Sequence, residues 1–141
     1  MELWTSPTES TDGRLVMVTG RTDVGRFRDN PKFNIRVEVV WIYDESPEAG
    51  MPGDNDARIM EQATDALNNI LEHDPVAVMT GIYTGAGRRD WIFYTLSTNI
   101  FNKKLNEALA DLPLLPLRIY AENDPDWAEY AEMTQIILND Q

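Results

Sequence analysis

The sequence predicts a single α+β domain, and three observations carry that prediction. Apolar residues hold every second position from Phe33 to Tyr43, two apolar runs between Val76 and Thr95 flank a glycine-rich turn, and stretches with helical spacing separate the strands. A length of 141 residues suits one domain, and a chain of that size buries roughly 70% of the surface it exposes when unfolded. With 43% hydrophobic and 26% charged residues the composition is globular; residues 1–13 are polar and are expected to fray.

The elements follow in order. Leu15, Met17 and Thr19 alternate with Val16, Val18 and Gly20, a modest strand signal, before a polar loop with Asp29, Asn30 and Pro31. Phe33, Ile35, Val37, Val39, Trp41 and Tyr43 then define a half-buried strand with all six on one face and Asn34, Arg36 and Glu38 opposite. The Pro- and Gly-rich loop Ser46 to Gly53 leads to Asp54, Asn55 or Asp56 as the cap of a helix. Along that helix Ile59, Ala63, Ala66, Leu67, Ile70 and Leu71 recur at intervals of three and four, and it ends near His73 because the residue before Pro75 disfavours helical angles.

Val76 to Thr84 and Asp90 to Thr95 are rich in β-branched and aromatic residues and are joined through Gly85, Ala86 and Gly87, the strongest hairpin in the chain. Ser97 or Thr98 caps a second helix with the stripe Phe101, Leu105, Ala108, Leu109 and Leu112, closed by Pro113. Leu114 to Tyr120 is a last strand, and Pro116 within it argues for a sheet edge. A final helix after Asp124 and Pro125 carries Trp127, Tyr130, Ala131, Thr134, Ile137 and Leu138.

Without its first strand and last helix, this order is strand, helix, strand, strand, helix, strand. That is the ferredoxin-like split βαβ sandwich, here with an extra N-terminal strand and a C-terminal helix. The final strand of that fold lies at an edge, where Pro116 is tolerated. Sequential strands usually neighbour each other, yet the Phe33 to Tyr43 strand is central in this fold. The Leu15 strand therefore has no place beside it.

The charge narrows the function classes. There are 24 acidic and 12 basic residues, a net charge of −12, so a phosphate backbone is repelled over most of the surface and nucleic acid is not an expected partner. Half of the basic residues (Arg14, Arg21, Arg26, Arg28, Lys32, Arg36) fall in the first 36 positions, whereas Glu122 to Gln141 carries six acids and no base. No run is long and apolar enough for a membrane span, and Met1 to Gly13 resembles no signal peptide, so a cytoplasmic protein without a membrane partner is expected. The absence of cysteine excludes disulfides, thiol nucleophiles and thiolate metal sites and fits a reducing compartment.

Candidate chemistry is sparse. The sole histidine, His73, stands at a helix C-terminus with no G-x-S-x-G elbow elsewhere to supply a serine, which favours a structural role. The acid groups Asp54, Asp56 and Glu61, and Glu122, Asp124 and Asp126, lack the spacing of a calcium loop and read as caps and solvated faces. Gly81, Gly85 and Gly87 precede a strand rather than a helix, so they do not cradle a phosphate. Their turn leaves Arg88 and Arg89 at the strand mouth, either as a paired guanidinium site for carboxylate or phosphate or simply paired with Asp90 or another neighbouring acid. Trp41, Tyr43, Trp91 and Phe93 read as packing. The Trp127 and Tyr130 stripe packs on its own sheet or presents an amphipathic helix to a partner.

Three strings are distinctive: GMPGDNDA at Gly50 to Ala57, VMTGIYTGAGRRDWIFYT at Val78 to Thr95, and ENDPDWAEY at Glu122 to Tyr130. Together they resemble the bacterial family known as domain of unknown function 695, over most of the chain from about Phe33 onward. The resemblance implies an α+β, ferredoxin-like domain without an assigned activity, akin to the regulator of ribonuclease E activity B, and so an acidic protein that tunes another protein. It maps a family surface onto Thr80, Gly81, Arg88, Arg89, Asp90, Tyr94, Asp124, Trp127 and Tyr130 and carries over no catalytic role.

The expectation is thus a non-catalytic interaction or regulatory module acting on another protein through its acidic surface, the hairpin mouth and the C-terminal helix. No catalytic residue, cofactor or metal ligand is assigned. The alternative is a binder of a small anionic ligand, or a hydrolase, using Arg88 and Arg89 with Asp90, Tyr94 or Asp124 nearby; a homodimer through an exposed sheet face is a third reading.

Overall fold

The structure is a computed structural model and describes residues 2–43, 50–73 and 75–139. Part of the expected loop Ser46 to Gly53, and Asp74, lie outside the described residues. Ten elements follow one another among the described residues. They are β1 (Leu3–Glu9), β2 (Leu15–Arg21), the short α1 (Gly25–Arg28), β3 (Ile35–Ile42), α2 (Asp54–His73), β4 (Ala77–Gly85), β5 (Arg88–Thr95), α3 (Thr98–Ala108), β6 (Leu117–Asn123) and α4 (Ala128–Asn139).

The strands form one antiparallel sheet in the order β1-β2-β4-β5-β3-β6. Its right-hand part, β4-β5-β3-β6 with α2 and α3, is the ferredoxin-like arrangement: β5 inserts between β3 and β4, and β6 takes the edge beside β3. The strand at Leu15 finds its place at the opposite side. It pairs with β4 (Val16↔Gly85 to Gly20↔Gly81) and carries β1 outside it. Residues 3–9, expected to fray, are thus held along β2. Their sequence shows no apolar strand period because the inward face of β1, Trp4, Ser6 and Thr8, is mostly polar.

The sheet separates two cores. On one face α2 contributes Met60, Ala63, Leu67 and Leu71 and α3 contributes Phe101 and Leu105; both pack on Val37, Val39, Trp41, Met79, Trp91 and Phe93. Ser97 caps α3 by accepting a hydrogen bond from the Ile100 amide at 3.3 Å. On the other face Trp127, Tyr130, Met133 and Ile137 of the C-terminal segment cover Val18, Val78 and Tyr94, with Phe27 and Phe33 edge to face beside them. Two glycines let α4 lie this close: a Cβ on Gly20 would stand 2.7 Å from the Ile137 Cδ1, and one on Gly81 would run into the Met133 sulfur.

Several expectations shift. Phe33 precedes β3 and enters the second core, and Val40 is buried on the face assigned to polar residues, so β3 is covered more fully than half. The last strand starts at Leu117, with Pro116 outside it, although its edge position stands. In α4 the inward stripe is Tyr130, Met133 and Ile137, whereas Leu138 is exposed. Asp54 and Asp56 occupy the first turn of α2, where the helix dipole favours them.

Candidate functional site

The hairpin turn is a two-residue loop, Ala86-Gly87, with both residues at positive φ (53° and 82°) and Gly85 opposite Arg88. Side chains alternate across a strand, so Arg88 and Arg89 leave this turn on opposite faces of the sheet. The single paired guanidinium site expected from their adjacency is split into two environments.

Arg88 lies on the α4 side. It forms a two-pronged pair with Asp90, Nε to Oδ1 at 2.8 Å and Nη2 to Oδ2 at 2.9 Å, and reaches Glu38 at 3.6 Å. Arg36 approaches Glu38 at 3.6 Å and Glu122 at 3.5 Å, completing a charged lattice on the uncovered part of this face. Within it a hydrogen bond to Asp90, burial and the Asp90 charge push the Glu38 carboxyl up to about 7. The alternation of β3 had already placed Arg36 and Glu38 opposite the core; what it lacked was the neighbouring strand.

Arg89 enters a groove on the other face. Helix α2 covers the ferredoxin-like part of the sheet, but the β1–β2 extension runs on beyond it, leaving an open trough of about 290 Å³ between α2 and the strands. Thr64, Asp65 and Asn68 line one wall, and Arg21, Thr84 and Arg89 line the floor. Arg89 is half-buried, donates from Nε to the Thr84 Oγ1 at 2.9 Å, and has its guanidinium 5.8 Å from the Trp91 ring centre. It makes no ion pair among the described residues. Burial therefore lowers its pKa, with only the field of Glu61 and Tyr43 opposing. Arg21 is different: burial works against its charge, but Asp23 at 3.1 Å and Glu72 at 2.6 Å outweigh that and raise it.

The groove's hydroxyls are already engaged. Thr64 Oγ1 donates to the Met60 carbonyl at 2.7 Å and accepts from Trp91 Nε1 at 2.8 Å. Asn68 is the exception, since its buried Oδ1 has no hydrogen-bond partner among the described residues. Neither Thr64 nor Asn68 was among the residues singled out in the sequence. The available signal was a polar strip at helical spacing, Glu61, Thr64, Asp65 and Asn68.

The remaining candidates come together elsewhere, in the joint that docks α4. Tyr94 Oη donates to Asp124 Oδ2 at 2.6 Å, and Asp124 also accepts from the amides of Ala128 (2.9 Å) and Glu129 (3.2 Å), so it caps α4. These bonds hold its carboxyl below the usual range although burial opposes them, while burial and the same carboxylate push the Tyr94 hydroxyl up. Trp127 stacks on Tyr94 at 4.0 Å and donates to the Phe33 carbonyl at 2.7 Å; Tyr130 donates to the Arg21 carbonyl at 2.6 Å. Trp127 holds this position with φ at +54°, a region that costs a non-glycine residue roughly 1–2 kcal/mol. Of the two readings of the Trp127 and Tyr130 stripe, packing on its own sheet is the one observed. Thr80 and Gly81 are also buried there, on β4.

His73 is exposed at the end of α2. No group of three or more acidic or histidine side chains able to hold a metal ion occurs among the described residues, and no described helix is long and apolar enough to cross a membrane.

A family model described as a family of unknown function (DUF695) matches residues 2–133, including the N-terminal hairpin that the sequence strings left out. No curated protein and no solved structure matches the chain, and nothing in the family match bears on the regulator of ribonuclease E activity B. Because the match runs from β1 into α4, the chain belongs to the DUF695 family.

Proposed function

We propose that this protein binds a small anionic ligand, a carboxylate or phosphate, in the groove between α2 and strands β2 and β4. Arg89 is its anchor. One observation carries the reading: a half-buried guanidinium without an ion-pair partner among the described residues stands in an open trough. A desolvated cation is costly unless an anion meets it, and a guanidinium fork suits a planar carboxylate or a phosphate edge. Binding fits better than hydrolysis, because Thr64 and Thr84 are held in structural hydrogen bonds.

The regulatory reading drew on the acidic surface, the hairpin mouth and the C-terminal helix; the aromatic face of that helix is taken up by its own sheet, while the net charge of −12 continues to support it. That charge also argues against nucleic acid as the ligand. We place the binding in the cytoplasm, on the lack of cysteine.

The test is thermal unfolding with inorganic phosphate, acetate and succinate. Ligand at about 100 times its dissociation constant stabilises by about 2.7 kcal/mol, a rise of several degrees in Tm. The rise is expected to vanish in Arg89→Gln and persist in Arg88→Gln. A wild-type protein indifferent to all three anions, or a shift that survives Arg89→Gln, refutes the assignment.

A further inference from the structure

The two edges of the sheet are built differently. On the outer strand β1, Pro7 sits in mid-strand and removes a donor that a neighbouring chain would need. Strand β6 carries no such guard. Between Leu117 and Asn123 there is no proline and no lysine, and its pairing with β3 runs without a bulge from Trp41↔Leu117 to Ile35↔Asn123. All of its residues except Leu117 are exposed, Ile119 at 40% and Tyr120 at 53%.

Beside it, on the α3 side, lies an apolar hollow of about 430 Å³ lined by Leu109, Leu112, Leu115, Leu117 and Ile119, with Leu114 standing fully out at its lip. Leu117, Ile119 and Ala121 face this side, because they pair with the core-facing Trp41, Val39 and Val37. Arg118, Tyr120 and Glu122 face the other.

The sequence of β6 is complementary to itself when run antiparallel. With a two-fold axis at Tyr120, Arg118 stands opposite Glu122 of the second copy, and Glu122 opposite its Arg118. Arg118 has no ion pair among the described residues, and Glu122 is held only at 3.5 Å by Arg36. We propose that β6 is a homodimer interface, in which two copies pair antiparallel through this strand with Tyr120 on the axis and join their sheets into one. The same register sets Ile119 opposite Ala121 and brings the two apolar hollows side by side on the α3 face. Isologous contacts of this kind close after two subunits, so the assembly ends as a dimer.

Light scattering on the full chain at about 0.15 M salt, where the Debye length is about 8 Å, reads this out. The expected mass is twice 16.1 kDa. Opposed like charges across a strand pair weaken it, and the axis counts each contact twice. Arg118→Glu and Glu122→Arg alone are therefore each expected to raise the dimer dissociation constant about tenfold or more. The double reversal, Arg118→Glu with Glu122→Arg, restores the dimer. Arg118→Glu disturbs no ion pair among the described residues, so it decides the matter even if Glu122→Arg, which also loses Arg36, folds poorly. A monomeric wild type, single reversals without effect, or a double reversal that fails to rescue each overturns the proposal, and none of them touches the Arg89 groove.

Discussion

The two faces of the sheet are held by different chemistry. Under α2 and α3 the contact is aliphatic and aromatic side chains in interdigitation, with Leu67, Leu71, Phe93 and Phe101 buried and few polar atoms among them. Under α4 the apolar contact is smaller and is threaded by directed bonds: Tyr94 to Asp124, Trp127 to Phe33, Tyr130 to Arg21. Non-directional burial tolerates small displacements, whereas a network of buried polar groups works as a unit and fails as one. The first face should behave as the cooperative centre of the protein and the second as a clasp that can open separately.

Truncating Trp127 is the largest expected way to break the second face. Trp127→Ala should cost about 3–5 kcal/mol, and hydrogen exchange should speed in α4, β1 and β2 before β3, β4 and β5. Leu67→Ala, by contrast, should cost about 2–5 kcal/mol and accelerate exchange everywhere at once. Uniform acceleration in both variants would erase the distinction.

Tyr94→Phe is a finer cut, since the ring and its stacking remain while the bond to the Asp124 carboxylate and the longer one accepted from the Tyr130 amide at 3.3 Å are lost. A hydrogen bond to a charged group contributes about 1.5–3 kcal/mol, so an unfolding free energy lowered by about that amount is expected, read as a lower urea midpoint with an unchanged slope.

The smallest effect tests the uncovered, charged part of the same face. Glu38 binds its proton more tightly folded, up to about 7, than unfolded at 4.5. The stability this adds is complete below 4.5 and is lost as pH rises through 7. The site is partly solvated, so screening leaves about 1–2 kcal/mol of it. Glu38→Gln should therefore flatten the decline in stability between pH 5 and pH 8 and be the more stable protein at pH 8. An unaltered profile would place the proton elsewhere in the pair with Asp90.

How much of this was legible depended on whether a feature is local in the chain. Strand β3, the β4–β5 hairpin and helices α2 and α3 declare themselves because their burial follows a period of two or of about 3.6. Strand β1 does not, since it is polar, contains Pro7 and exists through pairing with β2. The start of β6 was misplaced by three residues, because Leu114, Leu115 and Pro116 form a loop at the edge of a hollow rather than strand. For the site, the parity of Arg88 and Arg89 was readable and should have separated them. The trough was not readable, because its walls meet only after residues near 20 and 65 are brought together by a strand added to the far side of the sheet.

The clasp also bears on how the chain reaches this state. Ser6 Oγ donates to the Ile137 carbonyl at 3.4 Å, a contact 131 positions apart in sequence. Trp4 and Val18 are made well before the cover they need, Met133 and Ile137. Contacts that span so much chain slow folding. The N-terminal hairpin should therefore stay incompletely covered until the segment carrying Met133 and Ile137 has been made and has docked, and in that interval it is exposed to misassembly.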